Sequence, residues 1–95
     1  MCDLSVVSPA LDEGPNLDLL LPQVADVLGR MGVSHEVIVV TRSGEAETIE
    51  AARRHGALVR FQTSPGYGGA LMCGFAEASG EWILTMDADG SHPPA

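Results

Sequence analysis

The feature that most constrains this chain is a regular alternation between two hydrophobic periods, one of strands and one of helices. Leu4-Ser5-Val6-Val7-Ser8 is a short β-prone run closed by Pro9. From Asn16 to Met31 the residues Leu17, Leu20, Leu21, Val24, Leu28 and Met31 recur at i, i+3, i+4 and i+7, the spacing of an amphipathic helix. Pro22 within it predicts a kink in the first turns or a start closer to Asp18, and Gly32 closes it. Glu36-Val37-Ile38-Val39-Val40 is a β-branched run suited to a parallel strand covered on both faces. Ser43 is placed to cap a second helix, with Glu45 and Glu47 in its first turn, Arg53 and Arg54 in its last, and Gly56 as its stop. Ala57 to Phe61 reads as a third strand. Gly69 to Ser79 reads as a third helix with Leu71, Met72, Phe75 and Ala78 on its apolar side and Gly80 after it, and Glu81 to Met86 as a fourth strand.

The order β-α-β-α-β-α-β with short connections predicts an α/β fold: a Rossmann-like parallel sheet, right-handed crossovers, helices on both faces. In such sheets ligands bind outside the C-terminal ends of the strands. The segments to inspect are therefore Pro9 to Asn16, Thr41 to Glu45, Gln62 to Gly69 and Asp87 to His92.

Ninety-five residues suit one small domain. The net charge of −8 argues against a nucleic-acid or anionic-membrane surface. All five basic residues are arginine, which excludes a Walker A loop and a pyridoxal Schiff base, since both need lysine. A protein this acidic that handles an anionic substrate needs positive charge from elsewhere, most simply a divalent cation. Cys2 and Cys73 match no ligand or redox spacing, and Cys73 reads as a small buried hydrophobe. The apolar runs are too short to span a membrane and the N-terminus carries no signal-peptide pattern, so the cytoplasm is the expected location.

Asp87-Ala88-Asp89 follows the fourth strand directly. Two carboxylates one residue apart at a strand end can both reach one hard cation, which can then bridge to a diphosphate and stabilise the charge developing as it leaves. A strand cap leading into a turn is the plainer reading of the same pair. Ser64-Pro65-Gly66-Tyr67-Gly68-Gly69 allows close backbone approach before a helix, but lacks the third glycine of a dinucleotide fingerprint, whose place Leu71 takes. It is equally explained as a tight loop. Glu13, in Pro9-Ala10-Leu11-Asp12-Glu13, can accept hydrogen bonds from a base or ribose, or simply sit in a solvated turn. His35 and His55 fall at element ends and read as surface residues, while His92 trails the acidic pair in what is as easily a rigid His-Pro-Pro turn.

Together these segments resemble the N-terminal half of the inverting glycosyltransferase family two, of GT-A fold, and within it the polyprenyl (dolichyl) phosphate mannose and glucose synthases. The likeness is carried by Leu4 to Ala10, Glu13, Asn16, Glu36 to Val40, Gly66 to Leu71, Gly74-Phe75, Gly80 to Asp89 and Ser91 to Pro94. The resemblance implies that Pro9, Ala10 and Glu13 sit at the nucleoside, with Asp87 and Ala88 near the ribose and diphosphate. Asp89, with Asp87, would hold Mg²⁺ or Mn²⁺. It implies a GDP- or UDP-linked sugar as donor, transfer with inversion, and a lipid phosphate as acceptor, at the cytoplasmic face of the membrane. Where the family usually has two aspartates after the second strand, this chain has Thr41, which still offers a hydroxyl, and Arg42, which reverses the charge. The aromatic and Asn usual before Glu13 are Leu11 and Asp12, and Ser64 and Pro65 stand where an Asn and a basic residue are expected.

The abrupt ending at Ser91-His92-Pro93-Pro94-Ala95 predicts that residues 1–95 are the nucleotide-sugar-binding half of such a domain, with the acceptor-side and catalytic residues beyond Ala95 and the chain alone unable to turn over. Two rival readings accompany this one. Met86-Asp87-Ala88-Asp89-Gly90-Ser91 also fits the nucleophile motif of haloacid-dehalogenase phosphatases, with Asp87 phosphorylated. A non-catalytic fragment, self-associating through an exposed sheet edge, is the other.

Overall fold

The computed structural model describes residues 2–10 and 14–86. Seven elements follow one another as β1 (Leu4–Pro9), α1 (Gly14–Arg30), β2 (His35–Thr41), α2 (Ala46–Arg54), β3 (Leu58–Phe61), α3 (Gly66–Glu77) and β4 (Trp82–Thr85). The strands form one parallel sheet in the order β3-β2-β1-β4. The alternation read from the sequence is thus realised as the expected α/β architecture.

Strand periodicity divides the core into two layers. Val6, Val37 and Val39 point to one face, where α1 and α2 pack through Leu17, Leu20, Leu21, Val24, Leu28, Ala51 and Ala52. Val7, Ile38 and Val40 point to the other, beneath Ala70 of α3. The central strands are buried on both sides, which is why β2 reads as a continuous apolar run from Val37 to Val40, while β1 buries Ser5 and Ser8 beside Val6 and Val7.

Helix ends differ from the expectations in ways local chemistry explains. Helix α1 starts at Gly14, not near Asp18, and runs through Pro22. Met31 lies outside it and is 65% exposed, so it does not extend the buried stripe. Gly32 and Gly56 adopt positive φ of 70° and 78°. Each closes a Schellman motif: Gly32 and Val33 donate to Gly29 O and Leu28 O, and Gly56 and Ala57 to Arg53 O and Ala52 O. The N-cap of α2 is Glu45, not Ser43, because the Arg42–Glu45 turn (Glu45 N–H to Arg42 O, 3.1 Å) delays the helix.

Helix α3 begins at Gly66 rather than Gly69 and buries its small side, Ala70 and Gly74. Met72 and Phe75, expected on the inner face, are 67% and 38% exposed. The reason is proximity: a Cβ on Gly74 would collide with Val7 Cγ1 and come within 3.3 Å of Val40 Cγ2. Small residues let this helix lie close against the two central strands, and its large apolar residues have no room beneath it. Cys73 is only part-buried, its Sγ 3.5 Å from Phe61 O.

At the N-terminal end of the sheet one carboxylate oxygen ties three segments together. Glu36 Oε2 accepts from Ser5 Oγ (2.6 Å), Ser79 N–H (2.8 Å) and Ser79 Oγ (2.9 Å), while Gly80 N–H donates to Ser5 Oγ (2.7 Å). The Ser5 hydroxyl, then the Ser79 amide, hold the Glu36 carboxyl below its ordinary pKa. On the surface, Asp18 of α1 accepts from Arg54 (3.1 and 3.2 Å) and lies 2.8 Å from His55 Nε2. His55 therefore has a partner that its position in the sequence does not announce.

Among the described residues β4 is an edge strand. Trp82, Ile83 and Leu84 on it are 70%, 46% and 42% exposed. Trp82 and Leu84 face the α1 side opposite Leu4 and Val6, and Ile83 faces the α3 side opposite Ser5.

Candidate functional site

All four strands run in one direction, so their exits gather at one end of the sheet. Backbone hydrogen bonds set their order there. Met86 N–H donates to Val7 O (3.0 Å), Ala10 N–H to Val40 O (2.9 Å), and Gln62 N–H to Thr41 O (3.0 Å). The chain leaves β1 toward β2 and β3 on one side and returns to β4 on the other. The boundary between β1 and β4 is therefore the point where strand order reverses, the usual ligand crevice of an open α/β sheet.

Pro9 and Ala10 end β1 at this crevice, Ala10 being buried. Met86, also buried, is the last described residue of the β4 exit; its N–H bonds Val7 O, two residues before Pro9, and its side chain packs with Val6 and α1. Glu13, Asp87, Ala88 and Asp89, which carry the nucleoside, diphosphate and metal expectations, lie outside the described residues, as does His92. Among the described residues no group of three or more His, Cys, Asp or Glu is arranged to hold a metal ion. The fit of Mg²⁺ or Mn²⁺ thus rests on the acidic pair that follows Met86 in the sequence, outside the described residues.

Thr41 is fully buried on the α1–α2 face, and its Oγ1 has no hydrogen-bond partner among the described residues. Ser8 Oγ, on the same face of β1, is in the same condition. An unmet buried hydroxyl costs about 1–3 kcal/mol. Thr41→Val, which keeps the shape and removes the oxygen, is expected to raise stability by about 1 kcal/mol in urea unfolding. A loss of stability instead would mean that the hydroxyl has a partner.

Two open clefts adjoin the strand exits. One, of about 460 Å³, lies between the starts of α1 and α2 and is lined by Pro15 and residues Gly44 to Thr48. The other, of about 250 Å³, is bounded by Arg42 on the β2 exit and by Gln62, Thr63, Ser64, Pro65 and Gly66 on the β3 exit. Its loop is shaped by Gln62 Nε2, which donates to Ser64 O (2.9 Å) and Gly66 O (3.2 Å). Sequence reasoning registered Arg42 only as a departure from a pattern, whereas the structure makes it one wall of a cleft. The signal was available: among the segments that follow the strands, Arg42 is the one basic side chain apart from histidine.

The sequence matches the family described as glycosyl transferase family 2 over residues 5–95. Among curated proteins it is similar to a dolichol-phosphate mannosyltransferase of Pyrococcus furiosus, 32% identical over 96% of this chain and 27% of that protein. It is also similar to an undecaprenyl-phosphate 4-deoxy-4-formamido-L-arabinose transferase of Aeromonas hydrophila, 35% identical over 96% of this chain and 30% of that one. Among solved structures it resembles glucosyl-3-phosphoglycerate synthase from Mycobacterium tuberculosis in complex with Mn²⁺, UDP and glucosyl-3-phosphoglycerate. The TM-score is 0.77 at 26% identity, over 92% of this chain and 33% of that one. The chain thus spans about a third of the length of the proteins it matches.

Proposed function

Because the chain belongs to glycosyl transferase family 2, we propose that it is the donor-binding part of a transferase that takes a sugar from a nucleoside diphosphate. Asp87 and Asp89 hold Mg²⁺ or Mn²⁺, and Pro9, Ala10, Glu13, Thr41 and Ala88 belong to the donor's surroundings. When bound, the cation neutralises the diphosphate and favours its departure from the anomeric carbon. The observation that carries this reading is that the β4 exit, described as far as Met86, lies where the strand order reverses next to β1, and that the acidic pair follows Met86 in the sequence. The manganese and UDP in the related synthase support it.

The acceptor in this reading is a polyprenyl phosphate, as the names of the two curated relatives indicate for those proteins. Such an acceptor brings an oxygen already anionic, so attack with inversion needs little help from a base. The place of action is then the cytoplasmic face of a membrane. Among the described residues no helix is long and apolar enough to cross one. Self-association belongs to the same proposal, the bare β4 edge being the surface available for it. The family match across the chain leaves the phosphatase reading of Asp87 without support.

Calorimetry tests the core of this proposal. GDP or UDP should bind in the presence of Mn²⁺ and much more weakly without it, and Asp89→Asn should lower the metal-dependent affinity at least about tenfold. Binding that ignores both the metal and the substitution would overturn it.

A further inference from the structure

We infer that two copies of this chain pair β4 with β4, antiparallel and centred on Ile83, and close into a two-fold dimer. Two four-stranded sheets thereby become one continuous sheet. This gives a geometry to the self-association proposed above and is independent of donor binding.

The two edges of the sheet are finished differently. In a parallel ladder, alternate residues turn both their N–H and C=O to the same neighbour. Gln62 N–H donates to Thr41 O, so Val59 and Phe61 of β3 turn outward. Side chains meet both of their carbonyls: Arg60 Nη1 donates to Val59 O (2.9 Å) and Cys73 Sγ to Phe61 O (3.5 Å). Arg60, bonded to Glu77 at 3.1 Å, also sets a charge within that edge. Covered groups and charges of this kind keep an edge from adding a strand.

Strand β4 has neither device. Trp82 N–H donates to Asp3 O and Met86 N–H to Val7 O, so Ile83 and Thr85 turn outward. No side chain among the described residues meets their backbone groups. From Trp82 to Thr85 there is no charge and no proline. Trp82, Ile83 and Leu84 are all exposed, while α3 packs on β1, β2 and β3.

That contrast selects the occupant. The β3 edge of a second copy is already covered, so head-to-tail growth is blocked, whereas its β4 edge is self-complementary. Centred on Ile83, the pairing lets the two Ile83 residues exchange both backbone bonds. It sets Trp82 opposite Leu84 of the other copy on the α1 side, and Glu81 opposite Thr85. Glu81 is the one ionisable residue from Glu81 to Met86, so no like charges meet at the seam although each chain carries −8.

The test is sedimentation of the 95-residue chain over a concentration series, with amide hydrogen exchange read at both ends of it. A monomer–dimer equilibrium without larger species is expected. In the dimer the Ile83 and Thr85 amides should exchange more slowly, and those of Val59 and Phe61 should not change. Ile83→Lys and Ile83→Glu should each weaken the dimer about tenfold or more, by setting like charges opposite each other. An equimolar mixture of the two variants should dimerise again, and Leu58→Lys on β3 should leave the dimer as it is. A monomer at every concentration would overturn this geometry and self-association together. A dimer that ignores both Ile83 variants, yields to Leu58→Lys, or leaves the Ile83 and Thr85 amides unprotected would overturn the β4 pairing alone, as would a mixture that stays monomeric. Growth beyond the dimer would rule out the closed two-fold.

Discussion

Gly74→Ala should destabilise the protein by about 2 kcal/mol, and Gly74→Val by more, in urea unfolding followed by far-UV circular dichroism. At an ordinary helical site the opposite holds, since alanine is favoured over glycine by about 1 kcal/mol. At Gly74 the added Cβ would run into Val7 Cγ1 and press on Val40 Cγ2 at 3.3 Å. Val7 and Val40 are both fully buried, on the two central strands. Neither can move without displacing the sheet, so the overpacking cost exceeds the gain in helix propensity. Gly29, in the last turn of α1, is the internal control, because a Cβ there meets nothing within 4 Å. Gly29→Ala should be neutral or stabilising by up to about 1 kcal/mol. If both alanine variants moved stability the same way, the close approach of α3 to β1 and β2 would be wrong.

Glu36→Ala should cost about 2 kcal/mol, the scale of lost hydrogen bonds to a charged acceptor. A single oxygen accepts from Ser5 and twice from Ser79, so its removal loosens the joint between β1, β2 and the segment entering β4. The same bonds give the protein a particular acid response. They lower the carboxyl's pKa in the folded state below its ordinary 4.5. Folding therefore favours the ionised form: its contribution is complete above the unfolded value and is lost as pH falls through the lower, folded value. Stability of the native chain should decline as pH drops below about 4.5. Glu36→Gln should show a shallower decline over that range. Asp18, whose carboxyl is also lowered, chiefly by His55, is present in both proteins and cancels in the comparison. Parallel pH profiles for the two would refute the role given to Glu36.

Where hydrophobic period alone decides structure, the sequence could be read directly. The β-branched run of β2 and the leucine stripe of α1 appear in the fold as their spacing demands. Helix α3 was misread because its inner face is made of small residues, and a search for large apolar side chains finds the outer face instead. Its first turn reads as loop in the sequence, since three of the four residues from Gly66 to Gly69 are glycine and disfavour helix. The Glu36 joint was not legible, because its partners lie 31 and 43 residues away and nothing local marks them. For the candidate site, the strand exits could be named from sequence, but not their lateral order. That order sets the β2 exit, which carries Arg42, two strands from the exit of β4.

The bare edge of β4 has a spectroscopic consequence. The chain has a single tryptophan, and it is Trp82, 70% exposed on that edge. The core of the described residues, built from Val, Leu, Ile, Ala and Met86, holds no indole. Emission from this protein therefore says little about whether its interior is intact. It reports the polarity of whatever lies against the flank of the sheet, so the fluorophore responds to company rather than to folding.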